Sequence, residues 1–359
     1  MSSIIGNKLK VSIFGESHGE AIGVVIDGIP AGYDIDFENV HKELRRRAPG
    51  QNQYSTARKE KDIPKVLSGI FEGKTTGAPI SAIIENTNTI SKDYSKLKVM
   101  PRPSHADYPA MIKYSGFNDY RGGGHFSGRL TALIVFAGAI CKEILKTKDI
   151  YIGAHIKSIK DIKDNAFEKV NVDLNKIKEL SDLEFPTLDK EAGEKMKLKI
   201  TEAKENLDSV GGIIEGTIIN LPVGLGSPMF DSVESVISQM LFSIPGVKGV
   251  EFGDGFEISK LYGSEAKDEY YFDDDIIKTY ENHNGGILGG ITTGMPVIFS
   301  VAIKPTSSIG QKQRTINLST NKDDILEIEG RHDPCIVQRA VPVVECAVAI
   351  SILDILLQG

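Results

Sequence analysis

The stretch GIFEGKTTGAP at residues 69–79 returns as GILGGITTGMP at residues 286–296, with seven of the eleven positions identical. GVVIDGIPAG at residues 23–32 has a similar echo in GTIINLPVG at residues 216–224, so both pairs occur in the same order. A β-branched, strand-like run follows each member of the first pair, and an Asp-capped helix is predicted after each member of the second. Chance similarity is the alternative, because Gly-rich turns restrict composition. We interpret the echoes as two similar halves that share one core.

This repeat predicts the domain organisation. We expect one domain over residues 1–359, with halves at about 1–150 and 200–359 and a polar insertion at about 157–199. Strands are predicted at residues 10–14 and 23–26. Helices are predicted at about residues 36–49, 131–145, 188–207, 231–245 and 342–357. Asp36 is expected to cap the first helix and Asp231 to begin the fourth, while the last, starting near Pro342, is apolar enough to be buried.

Composition limits the class of protein. With 40% apolar and 25% charged residues among 359, the chain has the make-up of a soluble globular protein. A net charge of −7 argues against nucleic acid as a partner, because proteins that bind it usually carry an excess of Lys and Arg. Three cysteines without a C-x-x-C pair indicate neither a disulfide framework nor a zinc site, and no metal is expected.

The expected compartment is the cytoplasm. The longest unbroken apolar run, residues 132–141, is half of what a membrane span requires, so no membrane partner is expected. Too few residues precede the first predicted strand to form a leader peptide.

Five of the seven histidines stand among Gly, Ser, Asp or Arg, which favours function over packing. In GESHGE at residues 15–20, the glycines predict a turn at a strand end, so Ser17 and His18 should project from a loop. The alternative for His18 is a structural imidazole bonded to a backbone carbonyl.

RPSHADYPAMIKYSGFNDYRGGGHFSGR, at residues 102–129, is the segment richest in such residues. It predicts little regular structure but contains three arginines, two histidines and three successive glycines. Glycines let a backbone approach a ligand, and Ser127 is predicted to cap the following helix, whose first amides suit phosphate. A flexible solvated loop is the alternative, although long loops within domains are more often functional.

Four further polar turns carry the same residue types. RRRAPGQNQYSTAR begins at residue 45, NHNGG at residue 282, KPTSS at residue 304 and GRHDPC at residue 330. Cations at a helix end need no binding role, and Asp beside His and Arg suits a salt-bridged corner, so structural roles stay open. ATP, dinucleotide and zinc-protease motifs are missing from the sequence. The residues alone predict an enzyme-like protein whose Arg- and His-lined site takes polyanionic ligands.

Taken together, these blocks resemble the signature of the chorismate synthase family. FGESHGEAIG, RRRAPGQNQYSTAR, RPSHADY, DYRGGGHFSGR, NHNGGILGG, KPTSS and GRHDPC occur in the family's order and span nearly the whole chain. One block alone is unspecific, whereas the set is typical of this family. The resemblance implies an α+β fold, a β-α-β sandwich of the chorismate synthase type with an internal pseudo-two-fold repeat, and a homotetramer.

The resemblance also implies a reaction. The family converts 5-enolpyruvylshikimate 3-phosphate into chorismate by anti-1,4-elimination of phosphate, the last step of the shikimate pathway to aromatic amino acids. Reduced FMN is required although nothing is oxidised overall. The departing hydrogen sits on a carbon without an adjacent carbonyl, so a simple base faces a large barrier that the flavin's chemistry removes. The sequence carries no extra dinucleotide module, so we expect an external reductant, ultimately NADPH.

Residue roles follow from the same resemblance. His18 resembles the general acid that protonates the departing phosphate, and His105 resembles the histidine that supports the charge of reduced flavin. Asp333 resembles the carboxylate that works with Ser17 and Ser127 in proton transfer. Positions that resemble flavin-binding ones are His125, Phe126, Ser127, Pro245, Gly246, Gly289, Lys304, Pro305, Thr306, Ser307, Ser308 and Arg331. Positions that resemble substrate contacts are Arg46, Gln53, Arg102, Arg129, Arg331 and His332.

Some positions depart from the family pattern and put ligand affinity in question. Gln53 stands where many relatives carry Arg, and Ser104 replaces a glycine. His125 and Phe126 replace a more polar pair. Two rival functions stay open: a non-catalytic flavin- or phosphometabolite-binding protein on the same fold, and a phosphatase or phosphotransferase that uses His18 as nucleophile.

Overall fold

A computed structural model describes residues 3–50, 62–87, 96–328 and 333–359 of the chain. The strands are β1 Ile4–Ile5, β2 Lys10–Gly15, β3 Ala21–Asp27, β4 Lys65–Ser68, β5 Ile70–Phe71, β6 Lys74–Thr75, β7 Ile80–Glu85, β8 Tyr151–Ile159, β9 Ile162–Lys163, β10 Gly212–Ile219, β11 Val247–Phe252, β12 Tyr270–Asp273, β13 Ile276–Thr279, β14 Ile287–Leu288, β15 Ile291–Thr292, β16 Val297–Ile303, β17 Gln313–Asn317 and β18 Lys322–Leu326. The helices are α1 Phe37–Arg47, α2 Asp107–Lys113, α3 Thr131–Lys146, α4 Leu174–Asp182, α5 Lys190–Glu205, α6 Val233–Phe242 and α7 Val337–Leu356.

Two antiparallel sheets and a helical layer between them make up the fold. The first sheet has the strand order β1-β2-β3-β7-β4 and the second has β11-β16-β10-β8-β9. α3 packs against α7 and contacts β3 of the first sheet and β8 of the second, while α7 contacts β8 and β10. Both helices are buried nearly all round, as their apolar sequences require. None of the helices in the described ranges combines the length and apolar character of a bilayer span. The arrangement confirms the predicted α+β sandwich.

The strand order of one sheet repeats in the other. The series β2-β3-β7-β4 corresponds to β8-β10-β16-β11, and both eleven-residue stretches form a short hairpin that leads into the next strand, β7 or β16. Each echoed strand also carries a glycine beneath an aromatic ring. A Cβ on Gly23 would lie 2.2 Å from the Phe14 ring, and one on Gly216 would lie 2.2 Å from the Phe299 ring. Glycine is therefore needed at both places for the ring to cover the neighbouring strand.

The ends of three helices show how local chemistry decides boundaries. Asp36 caps α1 as predicted, since its carboxylate accepts the Glu38 amide at 2.9 Å. The predicted start of the fourth helix at Asp231 is wrong, because the hydroxyl of Ser232 caps α6 instead. The predicted start of the last helix near Pro342 is also wrong, because α7 begins at Val337 and contains the proline in its second turn. Burial of the added turn outweighs the hydrogen bond that proline cannot donate.

The predicted polar insertion is tied to the core more closely than its composition indicates. Its expected start near residue 157 falls inside β8, a strand of the second sheet. Met196 and Ile200, four residues apart on α5, are fully buried in the main core. The polar composition therefore reflects outward-facing residues, such as those of α4 and α5, on a segment whose apolar residues are buried.

A buried charge links this segment to the sheet. The ring of His155 in β8 is fully buried, with Nδ1 3.0 Å from Asp164 and Nε2 3.0 Å from Glu215. Because each ring nitrogen faces a carboxylate, both must carry a proton. Burial alone would lower the pKa of His155, but the hydrogen bonds and charges of the two carboxylates outweigh it and raise the pKa. Asp164 also accepts the amides of Leu188 and Asp189, so the cluster fixes the connection between α4 and α5.

Because of His155, the free energy of unfolding of the protein should decrease as the pH rises. A raised folded-state pKa means that its contribution is complete below pH 6.5, the ordinary value, and is lost as the pH rises through the folded value. In urea unfolding at about pH 6 and about pH 9, we expect His155→Gln to lose less stability over that interval than the wild type. Equal pH dependence in the wild type and His155→Gln would contradict a charged His155.

Candidate active site

Most of the chemistry-bearing segments meet at a cavity of ≈ 770 Å³. Its wall consists of the loops after β2, α6 and β16, the end of α1, the turn around residue 105, the turn that leads into α3, and the first turns of α7. Six cations line it, namely Arg47, Arg102, Arg129, Lys248, Lys304 and Arg339. Among the described residues, Asp333 is the single carboxylate in the lining. Although the chain is acidic overall, the cavity therefore favours anions.

The glycine turn at residues 122–124 contacts both candidate histidines. Its three glycines have φ values of 59°, 86° and 53°, in the left-handed region that side chains rarely adopt. A Cβ on Gly122 would lie 2.1 Å from His18 Nδ1, and one on Gly123 would lie 3.3 Å from His105 Cε1. Backbone without side chains thus separates the two imidazole rings. The positive φ angles favour glycine at these positions, and the close approach to His18 excludes a side chain at Gly122.

His18 lies one layer behind the cavity wall. The residue is 7% exposed, and both of its ring nitrogens are buried. Its ring packs on Gly122, which lines the cavity, and the preceding residue, Ser17, lines the cavity itself. The amide of Ser17 donates to the carbonyl of Gly124 at 3.2 Å, which joins the GESHGE turn to the glycine turn.

His105 is held by Asp107, a carboxylate that the sequence analysis did not single out. Its Nδ1 lies 2.6 Å from Asp107 Oδ1, and the same carboxylate accepts Nε and Nη2 of Arg102 at 2.8 Å each. Nη1 of Arg102 donates to the hydroxyl of Ser308 at 3.0 Å. Burial alone would raise the pKa of Asp107, but the hydrogen bonds from Arg102 and His105 hold it well below its ordinary range. Arg102 therefore lines the cavity with much of its guanidinium engaged by protein groups.

Arg129 shares a buried carboxylate with Arg47, which the sequence analysis did not choose. Asp62 accepts Nη1 of Arg47 at 2.7 Å through one oxygen and pairs with Arg129 through the other. Burial alone would raise the pKa of Asp62, but the charges of Arg47 and Arg129 outweigh it and lower the pKa. Burial, with repulsion from Arg339 and Arg129, lowers the pKa of Arg47. Two cations sharing one anion beside the start of α3 leave an excess of positive charge for a ligand.

Asp333 is connected to the same group of cations. Its Oδ2 lies 2.5 Å from Nη1 of Arg339, and Nε of that arginine donates to the carbonyl of Arg47 at 3.0 Å. The carbonyl of Asp333 accepts the hydroxyl of Thr306 at 2.8 Å. The carboxylate is thus fixed between α7, the end of α1 and the loop at residues 304–308.

Lys304 joins that loop to the turn before His105. Its ammonium donates to the carbonyl of Ser104, which has a φ of 59°. The left-handed conformation at this position suits the glycine of the family pattern that Ser104 replaces. Burial and the nearby charge of Lys248 lower the pKa of Lys304, so two cations crowd this part of the wall.

The remaining predicted flavin positions also meet here, with two exceptions. His125, Phe126, Ser127, Pro245, Gly246, Lys304, Pro305, Thr306, Ser307 and Ser308 all line the cavity. Ser127 does not cap α3 as predicted, because its hydroxyl accepts the Arg129 amide and caps the short 3-10 turn of residues 128–130 that precedes α3. Gly289, the first exception, lies in the β14–β15 turn with a φ of 62° and outside the lining. Arg331 is the second, and with Gln53 and His332 it lies outside the described residues.

Arg46, a predicted substrate contact, does not line the ≈ 770 Å³ cavity. Its Nη1 lies 2.6 Å from Glu43 and 2.7 Å from Glu345, carboxylates that Lys142 also contacts, so it belongs to a buried ion network among α1, α3 and α7. It borders a separate hollow of ≈ 290 Å³. Successive residues of a helix point roughly 100° apart, so Arg47 faces the cavity when Arg46 does not.

The sequence analysis did not select Arg339 or Asp62, and these two residues differ in whether the sequence gives a signal for them. Arg339 is the only cation in α7, and a lone arginine in an apolar helix indicates a paired or functional charge. Asp62 carries no local signal, since its importance comes from two arginines that are distant in sequence.

The wall is apolar as well as cationic. Phe126, Ile244, Val247, Ile336 and Val343 belong to it. Small-molecule sites are typically apolar with a few placed polar groups, and the cavity has the size of such sites. The wall therefore suits ligands that are apolar in part and anionic in part.

Comparison with known proteins identifies the relatives of this chain. The family model of chorismate synthase matches residues 9–357. The chain is 49% identical to the chorismate synthase of Methanocaldococcus jannaschii over 366 aligned positions, which cover 99% of this chain and 96% of that protein. It is 46% identical to that of Thermococcus kodakarensis, with 98% and 97% covered. A crystal structure of chorismate synthase matches with a TM-score of 0.77 at 31% identity, covering 99% of this chain and 93% of that one.

A methyl group on the glycine turn should disable the site. Because a Cβ on Gly122 would overlap the His18 ring, we predict that Gly122→Ala lowers catalytic activity by roughly a hundredfold or more. Gly263→Ala is the control, since a Cβ there meets nothing within 4 Å. Activity should be measured with thermal unfolding, so that loss of fold is distinguished from loss of geometry. Full activity in a folded Gly122→Ala protein would contradict the role of this contact.

Proposed function

Because the chain belongs to the chorismate synthase family, we propose that the ≈ 770 Å³ cavity is where it binds 5-enolpyruvylshikimate 3-phosphate and reduced FMN. The chain is a lyase of the shikimate pathway to aromatic amino acids, converting this substrate into chorismate and phosphate. One observation carries the assignment to the cavity. His18 and His105 contact the same glycine turn, beside a wall with six cations.

The substrate's anionic groups match the arginines of the wall. Phosphate and carboxylate oxygens accept paired hydrogen bonds from guanidinium, and Arg47, Arg129 and Arg339 lie around the carboxylates of Asp62 and Asp333. The shared carboxylates hold the arginines in place before a ligand arrives, which reduces the entropy lost on binding.

Reduced FMN fits the remaining part of the wall. The loop at residues 304–308 offers hydroxyls and Lys304 to phosphate and ribityl oxygens, and Pro245, Gly246 and Phe126 offer apolar surface. When bound, reduced flavin supplies electron density while phosphate leaves and accepts the ring hydrogen.

The protein's own groups then manage protons and charge. We assign His18 as the acid that protonates the departing phosphate, supported by its position behind Gly122 and next to Ser17. We assign His105 to the negative charge of the reduced flavin. Asp333, with Ser17 and Ser127, is the route for proton transfer, supported by the presence of all three in one lining.

Assembly, reductant and compartment complete the proposal. Exposed aromatic side chains such as Phe256, Tyr262 and Phe272, which are 81%, 78% and 78% exposed, support a homotetramer in which they are covered. An external reductant, ultimately NADPH, reduces the flavin, and the enzyme works in the cytoplasm.

The decisive assay mixes the protein, photoreduced FMN and 5-enolpyruvylshikimate 3-phosphate without oxygen. The diene absorbance of chorismate should appear together with phosphate. Replacing photoreduction by NADPH alone should give no product if the reductant is external. Phosphate release without flavin would instead support a phosphatase, and tight ligand binding without turnover would support a non-catalytic binding protein.

His18→Ala should separate chemistry from binding. We expect FMN affinity to stay near that of the wild type, whereas turnover falls by roughly two or more orders of magnitude, the usual scale for loss of a general acid. His41→Ala, on α1, is the matched control. Turnover near the wild-type rate in His18→Ala would remove the assigned role.

A further inference from the structure

Asp107 is the most completely engaged carboxylate near the cavity. Its side chain is 7% exposed, and four donors converge on its two oxygens. The amide and Nε of Arg102 lie 3.0 and 2.8 Å from Oδ2, while Nη2 of Arg102 and Nδ1 of His105 lie 2.8 and 2.6 Å from Oδ1. A carboxylate accepts at both oxygens and donates at neither.

This geometry determines which nitrogen of His105 carries a proton. Because Nδ1 lies 2.6 Å from an oxygen of the Asp107 carboxylate, closer than any other described polar atom, we place the ring proton on Nδ1, between the two groups. Nη2 of Arg102 lies 3.1 Å from the same Nδ1, and in that contact Nδ1 would have to accept. The shorter approach to the charged carboxylate decides between the two tautomers, in favour of a proton on Nδ1. Nε2, on the side of Gly123, is then the ring nitrogen that faces a ligand.

We propose that Asp107 is a positioning residue for His105: it fixes the ring's orientation and keeps the proton on Nδ1, so that Nε2 is presented to the flavin. The identity of the ligand rests on the proposed function, whereas the state of the ring does not. Arg102 takes part as the clamp that holds Asp107, and its bond to Ser308 ties the pair to the loop at residues 304–308.

A purely structural role is the competing explanation. Asp107 is the first residue of α2, where a carboxylate is favourable beside the helix N-terminus, and it neutralises a buried arginine. Either effect would stabilise the fold without influencing His105. The two explanations differ in what happens to the imidazole when the carboxylate becomes an amide.

Asp107→Asn tests this difference without changing side-chain size. Two donors of Arg102 keep the amide oxygen on their side, so the amide NH₂ must face Nδ1 of His105. That nitrogen then has to accept, and the proton moves to Nε2. With ¹⁵N-labelled histidine, we expect a protonated-type Nδ1 signal from His105 in the wild type and an acceptor-type signal in Asp107→Asn.

Asp119→Asn is the matched control for this measurement. Asp119 pairs with Arg121 in the same segment, through Nε and Nη2 at 2.8 Å each, but no His105 contact involves it. Its variant should leave the His105 signals unchanged. Identical His105 signals in the wild type and Asp107→Asn would overturn the proposal. The spectra need neither flavin nor substrate, so they decide the inference even if the proposed reaction fails.

Turnover supplies a second, independent readout. We expect Asp107→Asn to lower kcat by at least roughly tenfold, because a His105 ring with its proton on Nε2 is poorly matched to the flavin. In a His105→Ala background the same substitution should change kcat by less than about twofold, since a residue that acts through His105 has nothing left to position. Additive losses in the double variant would show a structural role and contradict the proposal.

Discussion

The turn at residues 122–124 has no side chains, and that property sets the spacing of His18 and His105. A methyl group on Gly122 would occupy the place of the His18 ring, and positive φ angles make a side chain unfavourable at all three positions. The carbonyl of Gly124 holds the amide of Ser17, while the chain continues directly into α3. The two imidazoles are therefore positioned by backbone that is anchored in the buried helical layer, and the rest of the site is arranged around them.

Charge in the site follows a second constraint. Buried arginines are costly unless they are paired, and carboxylates such as Asp62, Asp107 and Asp333 pair with the arginines around the cavity. This pairing leaves an excess of positive charge. Asp62 serves two arginines, and the described lining of the cavity contains six cations but one carboxylate. The chain as a whole has a net charge of −7, so this positive field is local. The result is a set of hydrogen-bond donors held in place by carboxylates, and their excess positive charge favours the binding of an anionic ligand.

The sequence predicted those features that depend on local chemistry. The echoed stretches indicated the repeated strand order, Asp36 indicated a helix start, and the glycine run indicated a turn with backbone angles that suit glycine. The sequence could not decide those features that depend on contacts distant in sequence. Nothing local separates Arg46 from Arg47, because only the packing of α1 on α3 and α7 decides which one meets Glu345 and which one meets Asp62. Ser232, and not Asp231, caps α6. The sequence could not choose between them, because both residue types are suitable N-caps.

The most direct measurement is a crystal structure of the protein with FMN and 5-enolpyruvylshikimate 3-phosphate bound together. The account predicts density for both ligands in the ≈ 770 Å³ cavity, with the flavin on the His105 side and the substrate's anionic groups at Arg47, Arg129 and Arg339. Density for either ligand elsewhere, for example in the ≈ 290 Å³ hollow beside Arg46, would contradict it.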